Sequence, residues 1–314
     1  MLYIVYLIIA ASVVWCSVKA SEYLDVIEKR STLSGAFIGG VVLSAVTSLP
    51  ELFTSLSSTM LLDKPGLAIG NILGSNLFNY AMLAFMLVFC YRRFAAAQQS
   101  KSHVTVAVTV ACIYIVMLLN FIGVLKYELL SVNIASIIII ALYIFGVLHM
   151  SGEKGTEAVP AQEEELSYAE AKKRFALASI GLVLLSIILT YVTDGIATRL
   201  NLGAGFAGAL LLGVATSLPE ASSTWTLLRL NSFSMAVGNI IGSNLFNFFI
   251  LALVDVTYIG GNAYDYTDPK TVSLLAFGAL ANLFFLRLIW RKPVKYRRLV
   301  PFLIIACYAA FLYF

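Results

Sequence analysis

Two short stretches occur twice in this chain, and they decide its fold. Residues 47–51 read TSLPE, and residues 216–220 read TSLPE again. Residues 68–79 read AIGNILGSNLFN and residues 236–247 read AVGNIIGSNLFN, so ten of these twelve positions are identical. The copies lie 169 and 168 residues apart, so the spacing within each unit is nearly preserved. The chain is therefore predicted to contain two copies of one structural unit.

The composition indicates the surroundings in which this unit folds. Of the 314 residues 60% are hydrophobic and only 12% are charged, and the mean hydropathy is +0.90. A water-soluble chain of this length could not keep so much apolar surface away from water. The composition excludes cytosolic enzymes, nucleic-acid-binding modules, disordered chains and secreted disulfide scaffolds. It predicts an all-α polytopic membrane protein.

Apolar runs long enough to cross a bilayer, which takes about 20 residues, occur ten times. They are residues 2–18, 33–60, 67–90, 104–122, 129–149, 175–194, 204–228, 233–258, 271–290 and 299–314. We predict ten transmembrane helices in two five-helix repeats, residues 1–150 and 175–314, joined by a polar cytoplasmic linker, residues 151–174. Because five is odd, the second repeat enters the membrane from the opposite side. Such inverted repeats are typical of secondary transporters.

The basic residues predict the orientation in the cell membrane. With the N-terminus outside, only Lys64, Lys126, Arg199 and Lys270 of the 21 Lys and Arg residues fall on the outer side. This asymmetry obeys the positive-inside rule. Both termini are therefore predicted outside, and the central linker is predicted inside.

Two acidic residues fall in the middle of predicted spans, Glu51 and Glu220, one in each TSLPE copy. An ionised carboxylate at that depth costs on the order of a few kcal/mol, so a functional role is the default interpretation. The structural alternative is a protonated Glu that is hydrogen-bonded between helices. Matching positions in an inverted repeat favour function over this alternative.

The neighbours of the two glutamates supply further oxygen ligands. Pro50 and Pro219 lack an N–H and clash with the preceding turn, so they are expected to free carbonyl groups there. The carbonyls concerned lie near Ser44, Thr47, Gly213 and Thr216, and hydroxyls are added by Thr47, Ser48, Thr216 and Ser217. In the second motif, Ser75 shares a helix face with Asn79, and Ser243 shares one with Asn247.

This donor set consists only of oxygen, which hard cations prefer. Two Glu charges neutralise one Ca²⁺, an ion that accepts flexible coordination by six to eight oxygens. Na⁺ has a similar radius and binds the same oxygens, so competition between the two ions is a natural mechanism. Spacing alone leaves the choice among hard cations open.

The paired TSLPE and GNxxGSNxFN segments resemble the alpha repeats of the sodium/calcium exchanger family, within the calcium:cation antiporters. The resemblance implies a secondary antiporter that exchanges Na⁺ for Ca²⁺ by alternating access at a midplane site. The first and sixth spans would be sliding gating helices. It implies a protein that is not an enzyme, needs no cofactor and has Ca²⁺, Na⁺ and the lipid bilayer as partners, without nucleic acid.

Carried over position by position, the resemblance makes Glu51 and Glu220 the main ligands for both ions. The carbonyls of Thr47 and Thr216 would complete the Ca²⁺ site. Asn79 and Asn247 would line the centre. Flanking Na⁺ sites would use Ser48, Ser75, Ser217 and Ser243 with the carbonyls of Ser44 and Gly213.

Departures from family patterns refine the expected ion specificity. Some prokaryotic members carry Asp where this chain has Asn247, which leaves the ion count and pH response open. Potassium-dependent relatives use Asp in this region, so no K⁺ requirement is predicted. Proton/calcium relatives carry a GN-x-x-E type motif in place of TSLPE, so Na⁺ is the predicted coupling ion. The alternative is antiport of H⁺ and Ca²⁺, or of another divalent cation, within the same superfamily.

Two other classes of function fit the sequence less well. An intramembrane enzyme needs a nucleophile with a base, or paired Asp residues, and neither occurs near TSLPE. A passive channel does not need duplicated, proline-broken gates.

Overall fold

The computed structural model describes residues 2–29, 43–97, 100–129, 131–151, 167–259, 261–290 and 297–313. These residues are mostly helical. The first half contains α1 (Leu2–Lys29), α2 (Leu43–Thr47), α3 (Leu49–Met60), α4 (Pro65–Ala96), α5 (Lys101–Phe121), β1 (Glu128–Leu129), β2 (Val132–Asn133) and α6 (Ile134–Ser151). The second half contains α7 (Tyr168–Leu200), α8 (Ala204–Ala207), a π-helical segment (Gly208–Gly213), α9 (Val214–Thr216), α10 (Leu218–Arg229), α11 (Phe233–Thr257), α12 (Pro269–Ile289), a 3-10 turn (Arg297–Leu299) and α13 (Val300–Tyr313).

Several of the described helices are long and apolar enough to cross a membrane. Six meet this condition by themselves. Residues 204–216 (α8 to α9) meet α10 at a 44° bend, and the two segments form a seventh span if they are counted together. α13 has 14 residues, and about 21 Å of helix is shorter than the ~30 Å hydrocarbon core. The protein is thus a multi-pass helical membrane protein. The count of ten spans remains a prediction, and residues 33–42 of the second span lie outside the described residues.

The predicted start of the fifth span was wrong by five residues. Residue 129 belongs to a two-stranded antiparallel hairpin in which Glu128 pairs with Asn133, and α6 begins only at Ile134. Ser131 turns the chain with a positive φ of 65°. Asn133 Oδ1 then accepts the Ala135 N–H at 2.9 Å, as a capping residue does. Apolar residues on both sides of this turn concealed it from hydropathy.

The helix that contains the sixth span begins earlier than the apolar run. Ser167 Oγ accepts the Glu170 N–H at 3.3 Å as the N-cap, and Arg174 Nε pairs with Glu170 at 2.9 Å. These local contacts extend the helix into polar sequence. The last residues of the predicted linker, 168–174, are therefore the first turns of α7, and residues 152–166 lie outside the described residues.

The core lies around α4 and α11, which carry the two copies of the asparagine-rich motif. α3 packs on α4, α7 and α11, while α10 packs on α11 and α4. Close approach depends on small residues, since a Cβ added to Gly74 would lie only 2.4 Å from Ala209 Cα. The two broken helices are thus held against the two motif helices at the centre of the protein.

Candidate cation-binding site

Each TSLPE copy lies at a break between two helices. Ser48 alone separates α2 from α3, and Ser217 alone separates α9 from α10. The two serines have matching backbone angles, φ −91° and ψ 12° for Ser48 and φ −88° and ψ 1° for Ser217. Pro50 and Pro219 lie in the first turn of the following helix, where a missing N–H is tolerated. Each glutamate therefore lies at a helix N-terminus, which favours negative charge.

Glu51 and Glu220 are fully buried (0% exposed), and each contacts the serine that lies three positions before the other. Their hydrogen bonds cross between the two breaks. Ser217 Oγ donates to Glu51 Oε1 at 3.1 Å, and Ser48 Oγ donates to Glu220 Oε1 at 2.9 Å. Each carboxylate is therefore held by the helix break of the other TSLPE copy. Further hydroxyl groups beside these carboxylates belong to Ser75, Thr216 and Thr47.

The prolines were predicted to free carbonyl groups near Ser44, Thr47, Gly213 and Thr216, and this prediction was wrong for the carbonyls of Ser44 and Gly213. The N–H of Ser48 donates to Ser44 O at 3.1 Å, and the N–H of Ser217 donates to Gly213 O at 3.3 Å. A proline removes only its own N–H, whereas these two serines keep theirs. Each carbonyl also accepts a hydroxyl group, which is able to rotate toward another acceptor. These hydroxyl donors, both at 3.2 Å, are Thr47 for Ser44 and Ser75 for Gly213.

The motif helices α4 and α11 add a second layer of buried oxygens. Asn79 Nδ2 on α4 donates to Asn244 Oδ1 on α11 at 2.9 Å. Asn247 Nδ2 on α11 donates to Asn76 Oδ1 on α4, also at 2.9 Å. Like the carboxylates, these side chains are hydrogen-bonded to residues of the other motif copy.

Several fully buried oxygen atoms have no hydrogen-bond donor among the described residues. These atoms are Glu51 Oε2, Glu220 Oε2, Asn79 Oδ1, Asn247 Oδ1 and Ser243 Oγ. Buried oxygens without partners are unfavourable. A hard cation would satisfy them, because carboxylate, amide and hydroxyl oxygens are the ligands that it prefers. No cluster of three or more His, Cys, Asp and Glu side chains suited to a metal occurs in the described ranges. No third described side chain of these types therefore joins Glu51 and Glu220 in such a cluster.

The residues predicted for the site are all buried in the described structure. The contacts above join the two glutamates to nearby serines, threonines and main-chain carbonyls. Asn79 and Asn247 are linked to one another's helices through amide pairs, and Ser243 lies on α11 without a hydrogen bond to the described residues. The buried residues predicted from the sequence are Ser44, Thr47, Ser48, Glu51, Ser75, Asn79, Gly213, Thr216, Ser217, Glu220, Ser243 and Asn247.

The predicted ligand set omitted one residue that supports the break. Asn71 Nδ2 donates to Thr54 Oγ1 at 2.8 Å, to Ser55 Oγ at 2.9 Å and to Glu51 O at 3.3 Å. It ties α4 to the first turns of α3, which carry the glutamate. The signal was available, because Asn239 repeats this asparagine in the second motif.

The same residues fall within a known protein family. The sequence matches the family described as "Sodium/calcium exchanger protein" over residues 1–152 and 174–314, ranges that include both copies of both motifs. The chain belongs to the sodium/calcium exchanger family. The predicted resemblance is therefore confirmed, and membership of this family supports a cation antiporter.

Two relatives of this family member match most of its length. Inner membrane protein YrbG of Escherichia coli (strain K12) is 24% identical over 267 residues, 81% of this chain and 78% of the relative. Uncharacterized membrane protein MJ0091 of Methanocaldococcus jannaschii is 24% identical over 222 residues, 70% and 69% of the two chains.

Two solved structures resemble the fold over nearly the whole chain. The sodium-calcium exchanger NCX_Mj, soaked with Na⁺ and Ca²⁺, has a TM-score of 0.65 at 20% identity and covers 100% of this chain and 98% of its own. Native YfkE has a TM-score of 0.70 at 16% identity and covers 99% and 91%. This chain therefore has the fold of the sodium-calcium exchanger structures.

Proposed function

We propose that this member of the family exchanges Na⁺ for Ca²⁺ by alternating access, at a midplane site built around Glu51 and Glu220. The observation that carries the proposal is this pair of fully buried carboxylates, one from each repeat, each with an oxygen that lacks a donor among the described residues. Two ionised carboxylates buried together are unfavourable unless a cation compensates them. One Ca²⁺ compensates both charges.

The surrounding oxygens suit both transported ions. Ca²⁺ accepts six to eight oxygens in flexible geometry, and the carbonyls of Thr47 and Thr216 would complete its coordination. Asn79 and Asn247 would line the centre. Flanking Na⁺ sites would use hydroxyls and carbonyls on either side of the carboxylates. The residues that would supply them are Ser48, Ser75, Ser217, Ser243, Ser44 and Gly213.

Shared ligands explain why transport would be an exchange. Na⁺ and Ca²⁺ need the same two carboxylates, so each ion displaces the other. Movement of the site without a bound cation would leave two uncompensated charges in the protein interior, which is strongly unfavourable. The return step therefore requires the second ion. The fold shared with NCX_Mj, itself a sodium-calcium exchanger, supports the same assignment.

The proposal includes the organisation of the chain in the cell membrane. Residues 1–150 and 175–314 would form two inverted five-helix repeats, with residues 151–174 as a cytoplasmic linker and both termini outside. The reciprocal contacts between the two motif copies support the two-repeat organisation. Reporter fusions at the C-terminus and in the linker would test the orientation, and a reporter that shows the C-terminus inside would contradict it.

Transport by purified protein tests the exchange. Proteoliposomes loaded with Na⁺ and diluted into Na⁺-free buffer should take up radiolabelled Ca²⁺, and equal Na⁺ on both sides should abolish this uptake. Uptake that ignores the Na⁺ gradient would contradict Na⁺/Ca²⁺ exchange. Uptake driven by a pH gradient without Na⁺ would instead favour H⁺/Ca²⁺ antiport, and Ca²⁺ currents without a counter-ion would favour a channel.

A further inference from the structure

Four asparagines of the repeated motif form a closed group between α4 and α11. We call Asn76, Asn79, Asn244 and Asn247 the amide group, and all four are fully buried (0% exposed). Two of them, Asn79 and Asn247, were predicted to line the ion site. Asn76 and Asn244 are not among the predicted ligands, yet each hydrogen bond within the amide group involves one of them.

Main-chain carbonyls determine which way Asn76 and Asn244 point. Asn76 Nδ2 donates to the carbonyl of Asn244 at 3.3 Å, and Asn244 Nδ2 donates to the carbonyl of Asn76 at 3.2 Å. A carbonyl oxygen only accepts hydrogen bonds, so the NH₂ end of each side chain must face it. The Oδ1 atoms of Asn76 and Asn244 therefore face the other way.

This arrangement fixes the remaining two side chains in turn. Asn76 Oδ1 needs a donor and receives Asn247 Nδ2 at 2.9 Å, while Asn244 Oδ1 receives Asn79 Nδ2 at 2.9 Å. With their NH₂ groups held in this way, Asn79 and Asn247 turn their Oδ1 atoms away from Asn76 and Asn244. Those two oxygens are buried and have no donor among the described residues.

We infer that Asn76 and Asn244 are positioning residues, which hold the amides of Asn247 and Asn79 with the oxygen rather than the NH₂ group directed to the cation. This inference rests on the proposed function, because it assigns the orientation of ligands within that same site. These hydrogen bonds run between α4 and α11. The amide oxygen of Asn79 or Asn247 is therefore oriented by an asparagine of the other motif copy. An amide turned the other way would present hydrogens to the cation and would oppose binding.

Double-mutant cycles on Ca²⁺ binding test the inference. Leucine is close in shape to asparagine but neither donates nor accepts a hydrogen bond. Asn76→Leu should raise the Kd for Ca²⁺, measured by isothermal titration of purified protein without Na⁺, roughly tenfold, the order expected when one contact to a charged group is lost. Because it acts through Asn247, Asn76→Leu should add no further loss to Asn247→Leu. Its loss should add to that of Asn79→Leu, which belongs to the other amide pair.

The second repeat supplies an independent set, which remains available if a first-repeat variant does not fold. Asn244→Leu should weaken binding about as much as Asn76→Leu, and it should add nothing to Asn79→Leu. Asn120→Leu is the matched control, since this buried asparagine bonds Asn133 and the Leu125 carbonyl at the hairpin. It should lower the Tm measured without ions and leave the Kd for Ca²⁺ unchanged.

The outcomes separate this inference from the proposed function. Unchanged Kd values in Asn76→Leu and Asn244→Leu, a fall in Tm alone, or losses that add to those of Asn247→Leu and Asn79→Leu would overturn the positioning role. Wild-type protein that does not bind Ca²⁺, or Glu51→Gln protein that binds it as tightly as wild type, would overturn the proposed function and with it this inference.

Discussion

The two motif copies make nearly the same contacts at their carboxylates, but they differ at the serines that flank them. Glu51 and Glu220 accept from Ser217 and Ser48 at 3.1 and 2.9 Å. In contrast, Ser75 Oγ donates to Gly213 O at 3.2 Å, whereas its counterpart in the second motif, Ser243 Oγ, has no partner in the described part of the chain. The contacts of the carboxylates are therefore alike in the two copies, whereas those of the flanking serines differ. We call the described segments before the two breaks, residues 43–47 and 204–216, the first and second arms.

The residues that precede the two TSLPE copies also differ, since Gly213 stands where the first copy has Ser44. A Cβ at Gly213 would lie 2.9 Å from Ser75 N and 3.1 Å from Asn71 O, so the segment before Ser217 packs directly on the backbone of α4. Its counterpart in the first repeat, Ser44, has a side chain and lines a small cavity with Gly242 of α11. At these two matching positions, Gly213 is packed against the backbone of α4, whereas Ser44 borders a cavity beside α11. Under the proposed alternating access, such a difference would be exchanged between the two copies when the site opens to the other side of the membrane.

The largest expected effect comes from removing one of the two buried carboxylates. Glu51→Gln and Glu220→Gln should each reduce Na⁺-driven uptake of radiolabelled Ca²⁺ by about 100-fold or more, because one remaining carboxylate does not balance Ca²⁺. The two losses should be similar, and both variants should still insert in the membrane. Glu128→Gln, at an exposed position in the hairpin, is the matched control and should transport normally. Near-wild-type flux in either buried variant would contradict the assigned site.

The next largest effect comes from forcing the second arm away from α4. Gly74→Ala would place a Cβ 2.4 Å from Ala209 Cα and Gly213→Ala would place one 2.9 Å from Ser75 N. Both should lower the rate of Ca²⁺ uptake by roughly tenfold, because overpacking of this kind costs about 1–3 kcal/mol. Gly181→Ala is a control on a membrane helix, since its Cβ would meet Cys16 Sγ at an ordinary 3.5 Å. Equal rates in Gly74→Ala and Gly181→Ala would show that the close packing is irrelevant to transport.

The two counterpart serines offer a finer test of the difference between the two copies. Ser75→Ala removes the hydrogen bond to Gly213 O as well as a proposed Na⁺ ligand, whereas Ser243→Ala removes only a proposed Na⁺ ligand. With about 1 kcal/mol for the extra hydrogen bond, Ser75→Ala should raise the Na⁺ concentration needed for half-maximal exchange about fivefold more than Ser243→Ala does. Identical shifts in Na⁺ dependence would mean that the asymmetry has no functional consequence.

The smallest expected effect concerns charge at the centre. Asn247→Asp adds a carboxyl group next to Asn76 Oδ1, within the amide group. The wild-type amide has no proton to lose at this position, so the variant should show an additional rise of Ca²⁺ affinity with pH as the added carboxyl group ionises. Titrations with Ca²⁺ at several pH values would measure this rise, with Asn120→Asp as the control at the hairpin. A pH profile identical to that of the wild type would place residue 247 away from the ions.

The central pair was predictable from the sequence because so few charges occur in the spans. A carboxylate at membrane depth is costly, so Glu51 and Glu220 stood out, and their repetition predicted that they meet. The asparagines were visible as a repeated pattern, but their roles were not. Which end of the Asn79 and Asn247 amides is left without a partner depends on the carbonyls of Asn76 and Asn244, and these contacts exist only once α4 and α11 are packed together.

Other features could not be predicted because hydropathy reports burial rather than local geometry. The hairpin at Glu128 and Asn133 lies inside an apolar run, and the early start of α7 depends on a cap at Ser167 within polar sequence. The carbonyl of Gly213 receives a donor that a simple count of proline N–H groups did not include. The different contacts of Ser75 and Ser243 were not predictable either, since the two motif copies are nearly identical in sequence.

Competition between the two ions at the shared carboxylates is the central claim, and calorimetry tests it most directly. Purified protein should be titrated with Ca²⁺ without Na⁺ and then in the presence of increasing Na⁺. Ca²⁺ binding should weaken progressively as Na⁺ rises, and it should disappear in Glu51→Gln and Glu220→Gln. Ca²⁺ binding that is indifferent to Na⁺, or that survives in both variants, would contradict it.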